Sequence, residues 1–108
     1  MGRARELANL FSGGSADINV KTSDGGILNL QTSDTTVVAN DVIGAIDFVA
    51  PDEGTGTDAI TTAGSVRVIS EGDFSASNNA AKMSFMLGLS GAASEVASIS
   101  SAGTFSAT

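Results

Sequence analysis

The side chains in this sequence with chemistry to offer are its carboxylates. There are 12 Asp and Glu residues but no His and no Cys. That removes the ordinary Ser-His-acid and Cys-His pairs, and any zinc site built on imidazole or thiolate. Two carboxyls can still cleave a glycosidic bond when they flank a sugar at roughly 5 to 10 Å from one another. Asp52, Glu53 and Asp58 share one Gly- and Thr-rich run and could lie that close. No Trp or Tyr accompanies them as a platform for a sugar ring, so solvated loop carboxylates are the simpler account. The same acids, or Asp24, Asp34 and Asp41 in successive turns, carry oxygens suited to Ca²⁺. Their spacing is not that of an EF-hand loop, and Asp is a common turn former. Gly13-Gly14, Gly25-Gly26 and Gly54-Thr55-Gly56 lack the Lys-Ser/Thr ending of a phosphate loop. Thr residues gather in turns rather than in an array on a flat face, which is wrong for ice binding. The sequence therefore predicts no catalysis, no cofactor and no metal.

Charge and composition narrow the partners. The net charge of −7 repels a nucleic-acid backbone and disfavours an anionic membrane surface. No apolar run approaches the length of a membrane-spanning helix, and the stretch from Leu7 to Phe11 is too short and too polar for a signal peptide. Hydrophobic residues make up 42% of the 108, with five Phe and no Tyr or Trp, while Gly, Ala, Ser and Thr fill half the chain. Such a chain can fold, but its core is thin. Closely stacked β layers suit it better than one bulky centre, and partner chains could supply what one copy lacks.

The elements follow from periodicity. Arg3 to Phe11 predicts a short helix, with Ala4, Leu7, Leu10 and Phe11 at helical spacing and Ser12-Gly13-Gly14 as its stop. Two to three turns are marginal alone, so this helix must dock. Residues 18–27 then align without a gap on residues 28–37, with Asn, Thr, Ser and Asp shared. Each copy reads as an alternating strand followed by a turn, which suggests stacked rungs or a meander. Val42 to Ala50 is a strand apolar on both faces, hence one expected to be covered on both sides. Asp58 to Ser70 reads as a long strand. Lys82 to Leu87 alternates again, with Met83, Phe85 and Leu87 on one face. Glu95 to Ser100 is a weaker strand, Ser101-Ala102-Gly103 a turn, and Thr104 opens a last strand that breaks off at Thr108. This pattern is expected of a segment cut from a longer polypeptide. Asp47 and Arg67 stand mid-strand among apolar neighbours, so either each finds a partner, for which the other can serve, or both project from an exposed edge.

Read together, these residues resemble a family. Val42-Ile43-Gly44-Ala45-Ile46-Asp47-Phe48-Val49-Ala50-Pro51 is similar to a motif that recurs in tail-fibre proteins of marine and cyanobacterial phages. Leu28-Asn29-Leu30-Gln31-Thr32, Met83-Ser84-Phe85, Ile99-Ser100-Ser101-Ala102-Gly103 and Arg5-Glu6-Leu7-Ala8-Asn9-Leu10 add further matches, and together they span most of the chain. The resemblance implies a homotrimeric fibre segment projecting from a virion and assembled in the host cytoplasm. Its partners would be its own copies, other fibre or virion segments, and a host-surface glycan or protein. It supplies no catalytic residues.

The expectation is therefore a mainly β chain with a helical segment over 1–14 and a β module over 15–108. A small β-sandwich, a prism and a solenoid-like fibre module, intertwined as a trimer, remain open. The expected trimer interface comprises Leu7, Leu10, Phe11, Ile46, Phe48 and Phe85, with Asp47 and Arg67 as a structural pair. The expected role is a structural module of a trimeric shaft or host-adhesion apparatus. The alternatives are a carbohydrate-binding adhesin module and a fragment of a glycan-depolymerising tailspike.

Overall fold

A computed structural model describes residues 17–51 and 54–108. Five strands form one open antiparallel sheet in the order of the chain: β1 (Val42–Val49), β2 (Thr62–Ser70), β3 (Ala81–Leu87), β4 (Ser94–Ile99) and β5 (Phe105–Ala107). Every strand joins its sequence neighbour, the arrangement that antiparallel strands with short connections favour. The β4–β5 turn falls where the sequence puts it. Gly103 takes a left-handed φ of 84° and donates its N–H to the Ser100 carbonyl at 2.9 Å. That is the geometry of a three-residue hairpin loop with glycine at its left-handed position.

Three expectations change. Asp58 to Ser70 is not one strand: Asp58–Ile60 forms a single 3-10 turn, and the strand begins at Thr62. The turn is closed by Asp58, whose backbone carbonyl accepts both the Thr61 N–H at 3.4 Å and the Thr61 hydroxyl at 3.0 Å. The aligned copies at 18–27 and 28–37 contain no strand either. Nor do their turns repeat. Gly25 sits at φ 94°, a conformation that costs glycine little but strains a β-branched residue, and the aligned position is Thr35. Instead Thr32 Oγ1 accepts from the Asp34 N–H and Asp34 Oδ1 from the Thr36 N–H, at 3.1 and 2.8 Å. Finally, β1 is an edge strand that its own chain does not cover on both faces, and Ile46, Phe48 and Val49 are exposed. A meander leaves its first strand at the rim whatever that strand's hydrophobicity.

The described residues make one layer, where a sandwich would need two. The expected helix at 1–14, with Leu7, Leu10 and Phe11, lies outside them. The sheet is tied to the preceding segment mainly through Ser70, whose hydroxyl donates to the Val38 carbonyl and accepts from the Asp41 N–H at 3.0 Å. Its main chain adds two bonds, from Asn40 N–H at 2.8 Å and to the Asp41 carbonyl at 2.9 Å. Asp73 and Phe74 reach back to Ala39 and Val37 from the β2–β3 connection. No hydrophobic side chain among the described residues is buried; the buried side chains are Ser65, Ser70 and Ser84.

Candidate functional site

The two faces of the sheet differ in chemistry. Antiparallel register places Ile46 opposite Val66, Val66 opposite Phe85, and Phe85 opposite Ala97. A neighbouring row runs from Gly44 through Val68 and Met83 to Ile99 and Phe105. Another joins Phe48, Gly64, Leu87 and Ser94. Since side chains alternate between faces, all these residues share one face, and it is apolar across all five strands. Phe48 is 60% exposed and Phe105 64%, and Ile46, Met83, Leu87 and Ile99 are exposed as well. Those six alone leave about 600 Å² uncovered, the upper end of the apolar patches that ordinary monomers carry. Of the residues expected at an interface, Ile46, Phe48 and Phe85 come together here. Met83, Leu87, Ile99 and Phe105 were missing from that set. Their signal was legible in the alternation Met83-Ser84-Phe85-Met86-Leu87, but only register shows which strands share a face.

The opposite face is polar and built from two similar trios. Ser65 Oγ donates to Asp47 Oδ1 at 2.6 Å and accepts from Arg67 Nε at 3.0 Å. Arg67 Nη2 reaches the same Asp47 oxygen at 3.4 Å. Asp47 pairs in register with Ser65 and not with Arg67, so the two charges meet on the diagonal, and the serine fills the space between them. In the second trio Ser84 Oγ donates to Glu95 Oε1 at 2.6 Å, and Lys82 Nζ lies 3.1 Å from that oxygen. Each trio has a buried serine, a cation two residues away on the same strand, and a carboxylate on the adjacent strand. Ser84 is fully buried because Arg67 and Ser98 bracket it in register and Lys82 and Met86 along its own strand.

These contacts set the acidity. The Ser65 hydroxyl holds Asp47 below its ordinary 3.8 against the opposing effect of desolvation, and Arg67 assists it. The Ser84 hydroxyl and then Lys82 hold Glu95 below its ordinary 4.5. Carboxylates acidified in this way are weak bases, and each accepts its serine's hydroxyl proton in a hydrogen bond. They also predict a pH response. A carboxyl whose pKa is depressed on folding adds stability above its ordinary value and loses it as pH falls through the depressed one. The melting temperature should therefore fall as pH drops below about 4.5, and fall less in a Ser65→Ala/Ser84→Ala double variant than in the parent. An equal fall in both would show that the trios do not couple to stability.

The other candidates hold little. A hollow of about 170 Å³ at one end of the sheet is lined by Ala50, Asp58, Thr61, Ala63, Leu89 and Ser90. It is smaller than the roughly 300 to 1,000 Å³ of typical ligand clefts, and its one carboxylate accepts the Ser90 hydroxyl at 2.6 Å. Asp52 and Glu53 lie outside the described residues. Asp34 and Asp41 cap backbone N–H groups of their own turns, at Thr36 and Val38. No group of three or more acidic side chains suited to a metal ion gathers among the described residues. Comparison with protein families, with curated proteins and with solved structures finds no match for this chain.

Proposed function

We propose that the chain is a non-catalytic structural module that assembles with its own copies through the apolar face of the sheet, as a segment of a phage tail fibre. The observation that carries the reading is a well-hydrogen-bonded sheet with one continuous apolar face and no buried hydrophobic side chain among the described residues. A single layer gains little from the hydrophobic effect until something covers that face. A second layer of the same chemistry is the simplest cover, and homo-oligomers with closed symmetry are the usual way to supply one. The polar face, with its trios of serine, carboxylate and cation, is left to solvent, to neighbouring fibre segments or to a host surface. Resemblance of the motif from Val42 to Pro51 to tail-fibre segments favours three copies around one axis, with Ile46, Phe48 and Phe85 pointing inward. The proposed setting is a virion, in a shaft or adhesion apparatus.

Light scattering at micromolar concentration tests the assembly, and the expected mass is three times 10.7 kDa. A monomer at that concentration would overturn the reading, and a dimer would remove its three-fold part. Incubation with capsular or lipopolysaccharide glycans is expected to release no oligosaccharide. Release that is lost on Asp52→Ala or Glu53→Ala would favour a depolymerising tailspike instead.

A further inference from the structure

The segment ahead of β1 has the composition of strands and the hydrogen bonding of none. Ile18-Asn19-Val20-Lys21 and Ile27-Leu28-Asn29-Leu30-Gln31 place apolar residues at strand spacing. Among the described residues, no backbone N–H or C=O of either stretch has a hydrogen-bond partner. Between them is a tight turn: the Gly25 N–H donates to the Thr22 carbonyl at 3.2 Å, and Thr22 Oγ1 to the Gly25 carbonyl at 2.8 Å. Gly26 packs so closely on Val20 that an added Cβ would stand 2.0 Å from the Val20 carbonyl oxygen. The turn is thus specified by sequence, yet Ile18 and Ile27 are 76% and 73% exposed.

One end of this arm is already seated on the apolar face. A Cβ on Gly44 would meet Leu30 Cβ at 3.0 Å, and Gly44 shares its face with Ile46 and Phe48. A larger side chain at Gly44 would press on Leu30, which would have to give by a few tenths of an ångström. The anchoring bonds of Ser70 and Phe74 then hold residues 37–41. Beyond Leu30 the arm leaves Leu87 and Phe105 of its own chain exposed.

We propose that residues 17–29 are exchanged between copies, each arm lying across the apolar face of a second copy of this chain. Ile18, Ile27 and Leu28 seat against the region of Phe85, Leu87 and Phe105. This rests on the self-assembly proposed above and adds what covers the face. Two unpartnered apolar surfaces of matching chemistry occur on one chain, and a single contact between copies satisfies both. The dimensions agree. Each limb of four or five residues extends about 15 Å at ~3.3 Å per residue, enough to cross β3, β4 and β5 at ~4.8 Å between neighbouring strands. Asn19 and Lys21, on the side of the first limb away from Ile18, remain in water.

The chain has no cysteine, so disulfide mapping is clean. Leu28→Cys in a chain with one affinity tag would be refolded with Phe85→Cys, Leu87→Cys or Phe105→Cys in a chain with another, then oxidised. At least one pairing should give a disulfide joining the two tags, because Cα atoms within about 7 Å can be bridged. Ile18→Ser/Ile27→Ser/Leu28→Ser should weaken assembly at least tenfold while circular dichroism keeps the sheet. An oligomer of unchanged mass with no mixed-tag disulfide in any pairing, or an unweakened triple variant, would overturn the exchange and leave self-assembly standing. A monomeric parent chain would overturn both.

Discussion

Phe48→Asp is expected to convert the assembled protein to monomers without unfolding the sheet. Phe48 lies on the edge strand, and its ring in the isolated chain already faces water over most of its surface. A carboxylate there disturbs nothing within one copy. Against a second apolar layer the same carboxylate is buried without a partner, at a cost of several kcal/mol, while the burial of the ring is lost as well. Assembly should weaken at least about 100-fold, which corresponds to ~2.7 kcal/mol. Sedimentation across a concentration series reads this directly, with circular dichroism as the check on the fold. The substitution separates the two faces, since Ser106→Asp, on the polar side opposite Ser98, should leave the mass unchanged. A Phe48→Asp protein that assembles like its parent would show that the apolar face is not the contact.

The second large effect is a melting temperature that depends on dilution. If three chains unfold together, each tenfold dilution lowers the stability by about 0.9 kcal/mol per chain through mass action. A domain of about 100 residues unfolds with an entropy of ~0.2 kcal/mol/K, so the midpoint should fall by about 4 °C per tenfold dilution. A monomeric sheet would show none. The effect should disappear in Phe48→Asp, whose midpoint should be low and independent of concentration. A parent midpoint constant over a hundredfold range would exclude coupled folding and assembly.

The sequence by itself determined that this chain is β, where four of its five strands lie to within a few residues, and that Ser101-Ala102-Gly103 turns. Alternation and turn chemistry are local properties, written every second residue and in the glycine that a left-handed position requires. Composition likewise predicted a thin core, because few large side chains were available to fill one. The need of Asp47 and Arg67 for partners was legible too, since charge among apolar neighbours must be compensated. Only the tertiary structure decided that the two charges meet on a diagonal through Ser65, and that Ser84, Glu95 and Lys82 repeat the device one strand over. Register decides such contacts, and register is set by pairing between residues far apart in the chain. The same non-local order placed β1 at the rim, although its hydrophobicity reads as that of a central strand. The lost turn of the second repeat copy was by contrast a local matter, because Thr35 stands where Gly25 bends the chain. A strand's own sequence states what it needs covered; the order of the strands decides whether its own chain can cover it.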